Sequence, residues 1–233
     1  MNDLTQTTSP LLLEDKQGWN EYWQKKNNGG ILYALIAEFY RKVIIRPTLN
    51  HFIRKYLKLG SELLHAGCGS GQVDVDIAPE YKITGLDISK KALEIYKESN
   101  KYVVSTLHAS IFQTGLPEKS IDGIYNLGVM EHFTLEEIQT CLTEFKRILR
   151  PDGRLVIFWP PEFGLSVLFF KVLRGTIKTL TGKDVKFHPD EISRIYSKKN
   201  ALEIFAKGGF KVIEYSFGPR DVWTYSIVVA QKS

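Results

Sequence analysis

The spacing of apolar residues changes character near residue 60 of this 233-residue chain. Upstream it is helical. Ile31, Leu35, Ile36, Phe39 and Val43 share one side of a helix expected over 31–45, which Pro47 is expected to break. A second helix is expected over 48–57, carrying Leu49, Phe52, Ile53 and Tyr56. Trp19, Tyr22 and Trp23 lie on a shorter helix that ends at Asn27-Asn28-Gly29-Gly30, and 1–15 is polar and loosely ordered apart from Leu11-Leu12-Leu13. Downstream, short apolar runs alternate with amphipathic stretches. The pattern predicts strands over 62–66, 82–87, 102–107, 121–127, 153–159, 210–217 and 222–230. It predicts helices over 72–78, 89–99, 134–149 and 199–207. Such alternation argues for a parallel sheet covered on both faces, with ligands at the carboxyl ends of the strands.

Between 160 and 200 the alternation stops. In 165–180, Leu165, Leu168, Phe169, Val172 and Leu180 share one helical side, and Lys171, Arg174 and Lys178 share another; Lys183, Lys186 and His188 follow. Three readings stand side by side: a helix packed on the domain, a substrate lid, or an edge resting on an anionic membrane.

Composition narrows the setting. A hydrophobic share of 43% and a charged share of 24% are those of an ordinary soluble protein, with length for one sizeable core and a single domain over 1–233. A net charge of +5 suits acidic ligands or an anionic surface without demanding nucleic acid. Two cysteines, Cys68 and Cys141, imply no disulfide framework, and the expected setting is the reducing cytoplasm. The chain shows no signal-peptide pattern and no apolar run of spanning length.

Candidate chemistry concentrates where the first expected strand ends. Gly67, Gly69 and Gly71 alternate immediately after Leu63, Leu64 and Ala66. A tight turn, or a backbone that must touch a ligand, needs residues without a Cβ. A helix starting at Gln72 would aim its free N–H groups and positive dipole end at the same place. Dinucleotide folds use G-x-G-x-x-G; here the third glycine comes one residue early, and Gln72 stands at the dinucleotide position. The second expected strand, Tyr81-Lys82-Ile83-Thr84-Gly85-Leu86-Asp87, closes on an acid. Asp87 can accept both ribose hydroxyls of a nucleoside, or cap the helix that opens at Ser89.

G-x-G-x-G followed by a strand-end acid resembles the first motifs of the class I S-adenosylmethionine (SAM)-dependent methyltransferases, of the methyltransferase type 11-like kind. The resemblance implies an α/β, Rossmann-like, seven-stranded mostly parallel sheet of order 3-2-1-4-5-7-6 with helices on both faces. It divides the chain into an N-terminal helical cap (17–58), a cofactor-binding core (60–160) and a substrate-side insert after strand 5 (160–198). SAM is the implied cofactor and S-adenosylhomocysteine the product. The implied contacts are His65, Gly67, Cys68, Gly69 and Gly71 in the loop and Asp87 with Ile88 at the ribose. Ser110 and Ile111 fall at the adenine, Asn126 and Leu127 at the methionine end. Similar enzymes often lay an aromatic N-terminal segment over the cofactor, so Trp19, Tyr22 and Trp23 read either as core or as a lid.

The chain departs from the family in two places. His65 replaces the acid that usually stands two residues before the first glycine, and would do part of its work by hydrogen bonding. Ser110 replaces the usual adenine-binding Asp, and reads equally as an ordinary loop residue. Glu131-His132 after the fourth strand matches the family. His132 reads as a packing or orienting residue, a general base for a substrate hydroxyl, or a metal ligand beside Glu131. No metal is expected, because Gly128 stands where metal-using relatives add an acid. Trp159-Pro160-Pro161-Glu162 only imitates a base-methylating motif, since it follows the fifth strand. Arg150-Pro151-Asp152-Gly153 reads as a structural turn.

The expected function is methyl transfer by in-line displacement to a small-molecule or lipid-linked acceptor, with peripheral membrane contact through 165–180 as an option. The competing classes are a non-catalytic SAM-binding protein and an NAD(P)-dependent oxidoreductase, the latter opposed by the glycine spacing.

Overall fold

The computed structural model describes residues 18–25, 38–165, 167–168, 175, 179 and 191–233. Its framework is a sheet of seven strands: β1 (Glu62–Ala66), β2 (Lys82–Asp87), β3 (Ser105–His108), β4 (Ile121–Leu127), β5 (Leu149–Trp159), β6 (Phe210–Ser216) and β7 (Ser226–Lys232). Their order is 3-2-1-4-5-7-6, parallel except for β7, which runs antiparallel to both β5 and β6. This is the sheet that the resemblance implies. The order of chain travel reverses between β1 and β4, which opens a crevice at their carboxyl ends.

Successive residues of a strand point to opposite faces, and here both faces are covered. On one face Leu64, Ile124, Leu155 and Ile157 pack with Ile138, Leu142 and Phe145 of α4 (Leu135–Ile148) and with Ala201 and Phe205 of α5 (Lys198–Lys207). On the other, Leu63, Tyr125, Val156, Phe158 and Val229 pack with Leu49, Phe52 and Ile53 of α2 (Arg46–Tyr56). Helix α1 (Trp19–Lys25) packs on α3 (Lys90–Ser99), which lies against β2 and β3.

Several boundaries differ from the sequence-based expectation. The helix expected over 72–78 is a series of turns. Asp74 turns its side chain inward, and its carbonyl accepts from both Ile77 and Ala78, which stops a regular ladder. Pro47 does not break the preamble: helical residues 38–40 run through a π-helical turn, Arg41–Ile45, directly into α2. Proline in a first turn lacks only an N–H that needs no partner there, and the wider turn before it makes room for its ring. The 31–37 part of that expected helix lies outside the described residues.

Residues 150–153 do not turn before the fifth strand but bulge within it. Ile121 pairs with Leu149 and Gly123 with Arg154, so β4 advances two residues while β5 advances five. Asp122 fastens the bulge by accepting from Arg150 Nη1 at 2.6 Å. The strand expected over 222–230 begins only at Ser226. Val222 and Trp223 have φ of 56° and 51°, a conformation no strand contains. The third strand is four residues, 105–108, rather than 102–107.

Helix α4 carries the segment that follows β4. A capping box starts it: Thr134 Oγ1 accepts from Glu137 N, and the Glu137 carboxylate accepts from Thr134 N at 2.9 Å. Thr134→Ala removes half of that exchange. Its expected cost is about 1 kcal/mol, read as a lower urea midpoint with an unchanged slope; an unaltered midpoint would show that the cap does not hold this helix.

Candidate active site

The glycine loop is held by the tip of β2. Gly67 N and Cys68 N both donate to the Leu86 carbonyl, at 2.8 and 2.9 Å. Gly69 N donates to Asp87 Oδ2 at 2.9 Å, and Ser89 N to Asp87 Oδ1 at 2.9 Å. Asp87 is therefore not the cap of α3; that role belongs to Ser89, whose Oγ accepts from Ala92 N. The Asp87 carboxylate is oriented by two backbone donors and keeps a second lone pair on each oxygen. Burial pushes its pKa above the ordinary carboxylate value, while the Ser89 and Gly69 N–H groups pull it back.

The three loop glycines have φ of 74°, 50° and 62°, a region costly for residues with a Cβ. A Cβ on Gly69 would stand 2.7 Å from the Trp23 ring. A Cβ on Gly71 would enter the Tyr96 ring and reach the Asn100 amide. Gly69 thus faces the crevice, and Gly71 faces the packing beneath it. The turns after Gly71 present no helix dipole, so the anion-cradling helix start expected at Gln72 is absent. The N–H groups of Gly67, Cys68, Gly69 and Gly71 are spent inside the chain. The loop presents, beneath the Trp23 ring, the side-chain-free backbone of Gly69 and the carboxylate of Asp87.

His65 lies under the loop rather than in it. It is buried, its Nδ1 is 2.7 Å from Asp74 Oδ2, and its ring stacks on Tyr125 at 4.5 Å. Tyr96 Oη donates to the same Asp74 oxygen at 2.5 Å. The acid missing from position 65 is thus supplied nine residues later and brought back beneath the turn. Sequence reasoning missed Asp74, Tyr96 and Tyr125; His65, a polar residue in an otherwise apolar buried strand, was the only signal that a partner was needed. Cys68 is buried, and desolvation together with Asp87 and Asp74 raises its thiol pKa, so it is no nucleophile.

At the other expected contacts the structure is mixed. Asn126 is fully buried, and its Nδ2 donates to the Ala66 carbonyl at 2.9 Å, extending the β1–β4 link past the last ladder pair. Leu127 closes β4, partly buried. Ile88 is partly exposed beside Asp87, and its carbonyl accepts from His108 Nε2 at 2.9 Å. Ser110 is buried, with its Oγ accepting from Phe112 N at 3.2 Å. Ile111 packs into the core shared with α4.

Glu131 and His132 share a one-turn 3-10 helix, Met130–His132, and each is 5% exposed. The His132 ring meets Trp19 edge-on at 4.9 Å. Asn20 Oδ1 accepts from Ser89 Oγ at 2.7 Å, so α1 spans from Ser89 across Gly69 to His132. Trp23 therefore lies against Gly69 and Trp19 against His132, at the carboxyl ends of the strands. Among the described residues, no three His, Cys, Asp or Glu side chains are grouped to hold a metal ion.

Residues 64–157 match the family model described as a methyltransferase domain. An uncharacterized protein of Methanocaldococcus jannaschii is 26% identical over 220 residues, covering 88% of this chain and 80% of that protein. An O-methyltransferase of Aspergillus nomiae is 33% identical over 105 residues, which are 42% of this chain and 46% of the relative, so the match spans about half of that enzyme's length. Among solved structures, magnesium protoporphyrin IX methyltransferase from Synechocystis with bound S-adenosylhomocysteine shares the fold, at 17% identity and a TM-score of 0.67, over 94% of this chain and 100% of its own. The domain match over 64–157, the strand order and a glycine loop tied to a strand-end acid give this chain a methyltransferase domain on the fold of the S-adenosylmethionine-dependent methyltransferases, with S-adenosylmethionine as the cofactor.

Proposed function

We propose that this chain transfers a methyl group to a small-molecule or lipid-linked acceptor by in-line displacement. The observation that carries the reading is the pairing of Gly69 with Asp87. Gly69 has no Cβ where the Trp23 ring covers the loop, and a carboxylate with free lone pairs accepts from its nitrogen at 2.9 Å. That cradle suits a nucleoside: Asp87 would accept the ribose hydroxyls, with Ile88 beside it. Ser110 and Ile111 would flank the base, and Asn126 and Leu127 the methionine end. His65 acts from below, through Asp74, on the shape of the loop.

SAM supplies an electrophilic methyl group on a sulfonium. The chain's part is to align an acceptor with that group and keep water out, which can supply most of the acceleration. Helix α1 serves the second task, with Trp23 over Gly69 and Trp19 against His132. His132 orients that cover. The division into cap (17–58), core (60–160) and insert (160–198) follows from the same reading. Both cysteines are free and buried, in keeping with a cytoplasmic setting.

An apolar rim favours a hydrophobic acceptor or a lipid surface. Leu165 N donates to the Trp223 carbonyl, and Leu165, Leu168, Phe163, Val222 and Trp223 are all exposed. Val167 is buried, so the start of the 165–180 segment turns Leu165 and Leu168 outward. Phe169, Val172, Leu180 and the basic residues from Lys171 to His188 lie outside the described residues. No helix among the described residues is long and apolar enough to cross a membrane, so such contact would be peripheral.

Asp87→Ala is expected to weaken S-adenosylhomocysteine binding by about 3 kcal/mol, roughly a hundredfold, through loss of charge-assisted hydrogen bonds. Calorimetry reads this directly, and an unchanged Kd would rule out the ribose role. Gly69→Val is expected to abolish binding in a protein that still melts cooperatively, because a branched Cβ there is strained and meets both Trp23 and the ligand. Wild-type affinity in that variant would mean that the loop is no cradle.

A further inference from the structure

Gly128 follows the last residue of β4 and has a φ of 65°. A Cβ placed there would lie 3.4 Å from Glu131 Oε1 and 3.6 Å from the Tyr225 hydroxyl. A carboxyl and a phenol therefore converge at the strand tip, one residue past the pair assigned to the methionine end. The Glu131 side chain is 5% exposed, and its Oε2 meets no donor among the described residues.

Its backbone is fixed from above. Ile192 N and Ser193 N both donate to the Glu131 carbonyl, at 2.6 and 3.0 Å, and Ser193 Oγ donates to the Met130 carbonyl at 3.1 Å. The cation closest in role, Arg194, is spent on Glu162 and Glu191. A buried carboxylate whose own backbone N–H serves it while Oε2 stays unpaired is costly. A packing role would be filled at less cost by Leu or Met, so the unmade hydrogen bond points to a donor that arrives with a ligand.

We propose that Glu131 is the catalytic base of this enzyme and that the methyl acceptor is a weakly acidic hydroxyl compound, a phenol or an enol, with Tyr225 as the positioning residue beside the carboxylate. The proposal rests on the methyl-transfer reading. The acceptor's O–H bond breaks and its proton passes to the Glu131 carboxylate. The freed oxygen pair forms the O–CH3 bond as the C–S bond breaks, and that bond's electron pair stays on sulfur. The products are a methyl ether, a thioether and a neutral Glu131, which returns its proton to water when the site opens.

The charges around the group agree. Burial, with Glu191 adding to it, pushes the Glu131 pKa up to about 8, against the pull of its own backbone N–H and of Arg194. Behind Tyr225 stand Tyr40 and Asp221, and His132 is the neighbour on the same turn. A base of this strength is well matched to a phenol, whose ordinary pKa is about 10. A neutral amine would need no base at all.

The test uses the full chain with SAM and three probes: nitrophenol, catechol and hydroquinone. Methylation of at least one is expected, with kcat rising with pH through about 8, the value to which the carboxyl is raised. Glu131→Gln should lose about a hundredfold in kcat and that pH dependence, with unchanged S-adenosylhomocysteine affinity. Tyr225→Phe should shift the profile rather than abolish turnover. A readout without turnover is stability against pH. A carboxyl raised in the folded state stabilises it below the unfolded value of 4.5 and loses that contribution as pH rises through about 8. Wild type should therefore lose stability over that window relative to Glu131→Gln. Equal kcat and equal pH profiles in the two proteins, or methylation of none of the probes by a protein that binds S-adenosylhomocysteine, would overturn the proposal. Failure of wild type to bind S-adenosylhomocysteine would instead overturn the methyl-transfer reading beneath it.

Discussion

The Asp87 carboxylate holds two segments that the chain would otherwise leave to drift. One oxygen accepts from Gly69 in the loop after β1, the other from Ser89 at the start of α3. Leu86, one residue earlier, takes the N–H groups of Gly67 and Cys68. Without these acceptors the N–H groups of Gly67, Cys68 and Gly69 would be left unsatisfied, at a cost comparable to a lost hydrogen bond for each. The loop has its shape because β2 ends where it does. The crevice is therefore organised by the chain before any ligand arrives, which is the condition for binding without a large ordering penalty.

Beneath the loop a second polar layer does the work that a helix does in simpler strand-to-helix turns. His65, Asp74 and Tyr96 share one hydrogen-bonded cluster, with Tyr125 stacked on the imidazole. Gly71 lets the loop descend onto Tyr96, and Asn100 donates to the Gly71 carbonyl at 2.8 Å. Buried polar groups of this kind are costly singly and rigid when satisfied together. The acid has moved from the strand into the turn, and the regular helix over 72–78 gave way because Asp74 was drawn inward.

The crevice has two unlike sides. The cofactor side is built from backbone geometry and one well-donated carboxylate. The proposed acceptor side is built from side chains: a carboxyl with one oxygen unpartnered, a phenol, and an apolar rim. Two backbone donors orient Asp87 for hydroxyls and oppose the rise that burial gives its pKa. Donor-poor surroundings make Glu131 a better base by raising its proton affinity. The same residue chemistry is set to two tasks by its neighbours.

Much of this was legible in the chain. Apolar runs with no polar alternation are what strands buried on both faces require, so the sheet and its helices α3, α4 and α5 could be read directly. The glycine triplet and Asp87 were legible for a similar reason: positive φ and a strand-end acceptor are local demands met by few residues. Other features depended on residues far apart in sequence. Asp74 was indistinguishable from a surface acid until His65 and Tyr96 came within hydrogen-bond distance of it. Trp23 and Trp19 became a cover only when α1 settled on Gly69 and His132. Glu131 acquired its raised proton affinity from burial and from Glu191, sixty residues away. Periodicity and turn chemistry act along the chain and are written in it; burial, and the proton affinity that burial sets, exist only after distant segments have packed.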